Sequence, residues 1–150
     1  MDWGHFLFGF GGRINRAKYW VWILIYVVAS LILGIVGHAA GPQINAILQV
    51  LFGIVGLIVS LAVAAKRLHD RNKSAAWLLV FMVLPLLLGA AGIVLYFVGM
   101  FGSGGSAITV GIVLIVAAIA VAIWSFVELG CLRGTVGANR FGPDPLEGKL

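Results

Sequence analysis

The sequence predicts an all-α membrane protein, a four-helix transmembrane bundle with both termini in the cytoplasm. Composition, the lengths of the apolar runs and the positions of the charges support this prediction. Hydrophobic residues make up 62% of the 150 residues and charged residues only 10%, against about 25% charged residues in soluble domains. Mean hydropathy is +1.12. We therefore expect a single membrane domain that covers residues 1–150.

Four apolar segments are long enough to cross a bilayer. A hydrocarbon core about 30 Å thick requires about 20 helical residues. The segments that meet this length cover residues 19–37, 44–65, 75–101 and 107–127. They lack the alternation of a barrel strand, and an open strand would leave backbone groups unpaired in lipid, so they are predicted to be helices.

The charged residues predict the orientation. They fall in the N-terminal segment 1–18, in the stretch 66–73 and in the C-terminal tail 128–150, whereas the connections 38–43 and 102–106 carry no charge. With four spans, the three charged regions share one side of the membrane. All ten Lys and Arg residues lie on that side, which the positive-inside rule makes cytoplasmic.

Both charged ends have further features. Aromatic residues precede the cations in "MDWGHFLFGFGGRINRAK", a pattern typical of a segment that lies in the membrane interface. The tail "GTVGANRFGPDPLEGKL" is punctuated by Gly and Pro, which predicts an ordered series of turns. We expect it to fold back so that Arg140 reaches the stretch 66–73.

The three charged regions predict one polar surface, the polar cap. Two interpretations fit it: the cations set topology and attract lipid nonspecifically while Asp70, Glu128 and Asp144 pair with nearby Arg, or the cap binds a phosphate-bearing headgroup or an acidic partner. The candidate binding residues are Arg13, Arg16, Arg67, His69, Asp70, Lys73, Asn139, Arg140 and Asp144.

Motifs for common enzyme classes are absent from the sequence. It has no nucleotide-binding glycine loop, no zinc-peptidase or serine-hydrolase motif and only one cysteine. His69 and Asp70 suggest acid–base chemistry or a metal, but a metal needs three or four converging ligands, and neighbouring helical residues point apart. We expect a non-enzymatic protein without catalytic residues, metal or cofactor.

The expected partners are membrane lipids, chiefly anionic ones, with a protein partner or a second copy as alternatives and no nucleic acid. Two other functions stay open. One is a small oligomeric channel or carrier that uses Pro85 and the polar pair Asn45 and Gln49, although no charged residue lies inside a span. The other is an enzyme that processes lipid headgroups with His69 and Asp70.

Three motifs together resemble a known family: "FGFGGRINRAKYW", "RLHDRNKSAAWLLV" and "GTVGANRFGPDP". In order and spacing they resemble the small bacterial inner-membrane proteins of domain of unknown function 805. The family pattern continues "KSGWW" where this chain has "KSAAW" at 73–77, a difference that changes no charged position. The resemblance implies a multi-pass protein of the bacterial inner (cytoplasmic) membrane and supplies no established activity. By motif correspondence it highlights Arg13, Arg16, Tyr19, Trp20, Arg67, His69, Asp70, Lys73, Asn139, Arg140, Gly142, Pro143 and Asp144.

Overall fold

The computed structural model describes residues 3–102 and 104–148, and within them the chain is helical with no strand. Asp2 and Lys149, two charged residues of the predicted polar cap, lie outside the described residues. The helices are α1 (Trp3–Phe8), α2 (Arg16–Ala40), α3 (Pro42–Asp70), α4 (Leu84–Phe101) and α5 (Gly105–Phe126). The predicted all-α class is confirmed.

Four of the described helices are long and apolar enough to cross a membrane. A π-helical turn, Leu79–Val83, leads into α4, and another, Val127–Cys131, continues α5. Most apolar side chains of these helices are exposed in the isolated chain, as expected for helices whose outer surface meets lipid. The candidate spans are Arg16–Ala40, Pro42–Asp70, Leu79–Phe101 and Gly105–Cys131.

The chain forms two compact units. The first contains residues 1–75 and 133–150, and the second contains residues 76–132. The first unit is therefore built from two separated stretches of chain. All ten Lys and Arg residues belong to it, whereas Glu128 is the one Asp or Glu of the second unit.

A single residue links α2 to α3 in the first unit. Gly41 has φ +98°, a conformation that side-chain-bearing residues rarely adopt. Pro42 then starts α3 at once, as its fixed φ and missing N–H favour at a first helical position. The uncharged connection predicted over residues 38–43 is therefore mostly helical.

Aromatic rings hold α2 against α3. The Trp22 Nε1–H donates to Ser60 Oγ at 3.3 Å. The Tyr26 ring stacks on Phe52 with centroids 5.0 Å apart and planes 11° apart. A Cβ at Gly56 would collide with the Tyr26 ring. The missing side chain at Gly56 thus makes room for Tyr26 between the two helices.

Glycines bring α4 and α5 together in the second unit. A Cβ built at Gly92 would lie 2.8 Å from the carbonyl oxygen of Gly111, and one built at Gly111 would lie 2.7 Å from that of Gly92. Any side chain at either position would force the backbones apart. Close approach of this kind supplies the van der Waals contact that replaces the hydrophobic effect between helices in lipid.

The π-helical turn before α4 lies next to a proline. Pro85 has no N–H to donate and its ring crowds the preceding turn. The N–H of Leu84 donates to the carbonyl of Leu79, five residues back. The wider turn accommodates the proline within a continuous helical segment, in line with the usual causes of helix irregularity.

Candidate functional site

The polar cap forms at the C-terminal end of α3. The sequence predicted that the second span ends near residue 65 and that a loop follows, but α3 continues through Asp70. Its last five residues are buried, with Arg67 0% and Asp70 3% exposed. Four charged or polar side chains expected in a loop therefore project from the last turns of a helix.

Asn72 ends α3. It has φ +56°, in the left-handed region. The N–H of Lys73 donates to the Leu68 carbonyl at 2.9 Å and that of Asn72 to the His69 carbonyl at 3.0 Å, which is the Schellman pattern. An asparagine at this position is a known helix-stop signal, so the sequence carried information on the helix end.

The C-terminal tail caps the same helix end. Thr135 donates to the Asp70 carbonyl twice, from its N–H at 2.8 Å and from its hydroxyl at 3.1 Å. The Asn139 Nδ2 donates to the His69 carbonyl at 2.9 Å. Helix-end carbonyls without such partners would be costly to bury. The tail thereby docks on α3 through backbone groups of the helix.

A buried ion-pair cluster lies within the polar cap, at the end of α3. Asp70 Oδ1 accepts from Arg13 at 3.1 Å (Nε) and 3.0 Å (Nη2), and Asp70 Oδ2 accepts from Arg67 Nη1. The side chains of Arg13, Arg67 and Asp70 are 1%, 0% and 4% exposed. The predicted pairing of Asp70 with nearby arginines is confirmed. The carboxylate is bound on both oxygens by guanidinium groups, and the cluster of two cations and one anion keeps one net positive charge.

Arg13 joins the cluster to the tail. Besides Asp70, its guanidinium donates to the carbonyls of Thr135 at 2.6 Å, Gly137 at 2.7 Å and Gly142 at 3.2 Å. It thus makes five hydrogen bonds, as many as arginine has N–H donors. This arginine acts as a structural clasp, with its donors directed at the protein.

The tail also approaches Asp70 directly. A Cβ at Gly134 would collide with the carboxylate of Asp70. Gly134 belongs to the motif "GTVGANRFGPDP". Its missing side chain therefore allows the backbone to lie against the ion-pair cluster.

Lys66 holds the N-terminal segment. Its Nζ donates to the carbonyls of His5, at 3.0 Å, and Phe6, and lies 5.4 Å from the Phe6 ring centroid. The Ile14 N–H donates to the Lys66 carbonyl at 3.4 Å. Lys66 is only 2% exposed, so its ammonium fastens α1 to α3 rather than facing solvent.

His69 is held by the other two segments. Its Nδ1 lies 3.1 Å from the Gly12 carbonyl, and its ring stacks on Phe141 with centroids 4.0 Å apart. The Arg140 guanidinium lies 4.7 Å from the Phe141 ring centroid and donates to the Asn72 carbonyl at 3.2 Å. The predicted return of Arg140 to the stretch 66–73 is confirmed. His69 and Asp70 contact different partners, as expected for successive helical residues.

Asp144 orders the far part of the tail. Its carboxylate accepts from the N–H groups of Leu146 and Gly137, each at 3.0 Å. The hydrogen bonds from Leu146 and Gly137 lower the pKa of this carboxyl group from its ordinary value. Residues 145–148, which follow Asp144, form a turn, as the predicted series of turns in this tail leads us to expect.

All nine predicted candidate residues belong to the first unit. Six form the interlocked centre of the cap, Asp144 organises the tail, and two lie further out, with Arg16 exposed at the start of α2 and Lys73 half-buried after α3. The six at the centre are Arg13, Arg67, His69, Asp70, Asn139 and Arg140.

Two cavities among the described residues of this unit bear on the site. The larger, about 260 Å³, is lined by His5, Phe6, Gly11, Gly12, Arg13, Ile14, Lys18 and Lys66. The smaller, about 150 Å³, is lined by Asn15, Arg16, Asp70, Arg133, Gly134, Asp144 and Leu146. Sequence reasoning omitted Lys18 and Lys66 from the candidates because neither lysine stands out from the other cations by spacing or neighbours.

The residues suggested for other chemistry have local partners. The Gln49 Nε2 donates to Asn45 Oδ1 at 3.4 Å, so this pair bonds within α3, and a Cβ at Gly37 of α2 would collide with Asn45. Among residues 3–102 and 104–148, no three His, Cys, Asp or Glu side chains converge as a metal site would require.

Comparisons with known proteins agree with the motifs. A sequence model of the family described as "Protein of unknown function (DUF805)" matches residues 7–143. "Inner membrane protein YhaH" of Escherichia coli K12 is 31% identical over 141 residues, 91% of this chain and 87% of the relative. "Uncharacterized protein YiiR" of the same strain is 32% identical over 139 residues, covering 92% and 86%.

A third relative, "Inner membrane protein YhaI" of Escherichia coli K12, is 29% identical over 137 residues, covering 91% of this chain and 86% of its own. No solved structure matches the chain. Nearly the whole polar cap, from Arg13 to Gly142, falls inside the matched residues 7–143. This chain therefore belongs to the DUF805 family, proteins of unknown function whose relatives include named inner membrane proteins.

Proposed function

We propose that this chain is a non-enzymatic inner-membrane protein whose polar cap faces the cytoplasm and binds anionic lipid headgroups. The observation that carries the proposal is the distribution of charge between the two units. All ten Lys and Arg residues belong to the first unit, and none to the second. Two relatives are named inner membrane proteins, which supports the same membrane for this chain.

The interior of the cap neutralises its own carboxylate. Asp70 accepts from two buried guanidiniums, whereas Arg16, Arg133 and Arg140 are exposed. Cations beside a membrane contribute about 1 kcal/mol each toward an anionic leaflet. The cap therefore presents an excess of positive charge outward on an internally satisfied framework.

Exposed aromatic rings support a position of the N-terminal segment at the lipid surface. Trp3, Phe8 and Phe10 are 52%, 55% and 50% exposed. Aromatic rings of this kind settle at headgroup depth. They would hold the adjacent cations level with lipid phosphates.

The lone cysteine offers a direct test of orientation. Cys131 is exposed and lies two residues before Arg133 of the first unit. A membrane-impermeant maleimide should label it in inverted vesicles and leave it unlabelled in intact spheroplasts, with labelling after detergent as the control. Labelling from outside spheroplasts would place the cap in the periplasm and overturn the cytoplasmic orientation.

Lipid binding is tested by native mass spectrometry of the protein in neutral detergent. We expect dioleoyl phosphatidylglycerol to remain bound under collisional activation that removes dioleoyl phosphatidylcholine. The excess cations of the cap attract the phosphate of either lipid, but the positively charged choline of phosphatidylcholine opposes that attraction. Salt should weaken this retention, since exposed charges are screened. Equal retention of both lipids would overturn the proposal.

A further inference from the structure

We propose that the larger cavity, between the N-terminal segment and α3, is a phosphate-binding site that takes the headgroup phosphate of an anionic phospholipid through Lys18. This deepens the proposed function and rests on it. The cavity lies wholly within the first unit. Its volume of about 260 Å³ far exceeds the roughly 10–15 Å³ that one water requires.

Charge distinguishes this cavity from its neighbour. Arg13, Lys18 and Lys66 line the larger cavity, and none of the described residues that line it is acidic. The smaller cavity is mixed, with two arginines facing the carboxylates of Asp70 and Asp144. A pocket whose charged lining residues are all cations concentrates positive potential and favours an anion.

The three cations have different parts. Arg13 commits five hydrogen bonds to the protein, and Lys66 directs two of its three donors at carbonyls of α1. Both therefore supply positive charge from fixed positions at the wall. Lys18 is half-buried in the first turn of α2, where its flexible stem can bring the ammonium to a ligand.

The start of α2 has an electrostatic imbalance that an anion would offset. Its first turn contains Arg16 and Lys18 and no acidic residue. Cations are unfavourable at a helix N-terminus because the exposed N–H groups there are already positive. The side chain of Asn15 accepts from the Lys18 N–H at 3.0 Å, but it carries no charge. A phosphate in the adjoining cavity would supply the missing negative charge.

The position of the cavity favours a lipid as the source of the phosphate. His5 and Phe6 of α1 form part of its wall. The exposed rings of Trp3 and Phe8 belong to the same short helix. A helix whose rings sit at headgroup depth brings the cavity to the level of lipid phosphates.

The test compares Lys18→Gln with Arg133→Gln, which removes one exposed charge from the mixed cavity. Bound dioleoyl phosphatidylglycerol is quantified by native mass spectrometry, with folding checked by circular dichroism. We expect Lys18→Gln to weaken retention about tenfold, as loss of a charged hydrogen bond predicts. Arg133→Gln should weaken it about twofold, as for a surface charge.

A third variant distinguishes loss of the charge at the binding site from a general defect in folding. Lys18→Arg keeps the charge and should retain the lipid as the native chain does, whereas loss of binding in both Lys18 variants would overturn the assignment. Equal losses of lipid retention in Lys18→Gln and Arg133→Gln would overturn the cavity as the binding site. The proposed attraction between the polar cap and anionic lipid would remain. No preference for phosphatidylglycerol in the native chain would overturn both.

Inorganic phosphate distinguishes the two sources of the anion. In lipid-free detergent we expect phosphate at millimolar concentration to compete with phosphatidylglycerol in the native chain but not to remain bound by itself. Retention of phosphate alone, lost in Lys18→Gln, would overturn the lipid source and assign the cavity to a soluble phosphate compound.

Discussion

The two units hold their paired helices together by different means. In the first, α2 and α3 meet through the stacked rings of Tyr26 and Phe52 and a tryptophan hydrogen bond, and an ion-pair cluster closes one end. In the second, α4 and α5 approach backbone to backbone at Gly92 and Gly111. Rings contribute in both units, since the ring centroids of Phe81 and Trp124 lie 5.0 Å apart in the second. What differs is the buried ion-pair cluster of the first unit and the direct backbone contact at paired glycines in the second. The contrast teaches that one small membrane chain can close one pair of helices with buried ion pairs and bring another pair together at glycines.

Removing the carboxylate at the centre of the cap should give the largest effect. Asp70→Asn leaves two buried guanidiniums without the charge that both contact. Breaking a buried pair in this way costs about 3–5 kcal/mol. We expect that loss in the free energy of unfolding measured by SDS titration, together with faster tryptic cleavage after Arg140.

The matched control is Glu147→Gln, an exposed acidic residue in the same unit. It should leave the free energy of unfolding and the rate of tryptic cleavage close to those of the native chain. If the two variants behave alike, the cap is not held by its buried ion pairs, and the contrast between the units disappears.

Adding one methyl group between α4 and α5 should give the next largest effect. Gly111→Ala places a Cβ 2.7 Å from the Gly92 carbonyl oxygen, so the helices must separate at a cost of about 1–3 kcal/mol. Gly53→Ala in α3 meets nothing within 4 Å and should stabilise slightly through helix propensity. The SDS unfolding midpoint should therefore move in opposite directions, and a parallel shift would refute glycine-mediated packing.

A smaller effect is expected from the hydrogen bond between α2 and α3. Trp22→Phe keeps a ring but removes the donor to Ser60. Hydrogen bonds between membrane helices contribute about 0.6 kcal/mol on average. The double variant with Ser60→Ala should lose less stability than the two single variants lose together, by about 0.6 kcal/mol. A coupling energy of zero would show that the hydrogen bond does not help to join these helices.

The smallest effect concerns pH. Hydrogen bonds from Leu146 and Gly137 lower the pKa of Asp144, so the stability they contribute is fully present above its unfolded pKa of about 3.9 and is lost as pH falls through the lower folded value. The two amide resonances should titrate by NMR with a midpoint below that of an ordinary aspartate. Asp144→Asn should abolish the titration, and a midpoint at or above the ordinary value would contradict the hydrogen-bonded turn.

Much of the architecture was predictable because lipid excludes charge. The four long helices follow from apolar length alone, and the gathering of three charged regions follows from their exclusion from hydrocarbon. The return of Arg140 to the stretch 66–73 was predictable too, because repeated turns at Gly and Pro keep a short tail close to the other charged regions.

The pairings inside the cap were not predictable in the same way. Asp70 and Arg13 are 57 positions apart, and no local periodicity selects that arginine over the others. Gly92 and Gly111 face one another only because the connection between α4 and α5 sets their register, so their spacing in the sequence carries no signal. The helix end at Asn72 is different, because a stop signal was present and the charges after residue 65 concealed it.

The clasp made by Arg13 imposes an order on biogenesis. This side chain leaves the ribosome early, yet three of its acceptors, the carbonyls of Thr135, Gly137 and Gly142, are synthesised only after α4 and α5. The hydrogen bonds between the tail and the end of α3 therefore form only after α4 and α5 have been synthesised. Completion of the cap requires translation through Gly142, and a polypeptide truncated before residue 133 would leave the Asp70 carbonyl without the two hydrogen bonds from Thr135.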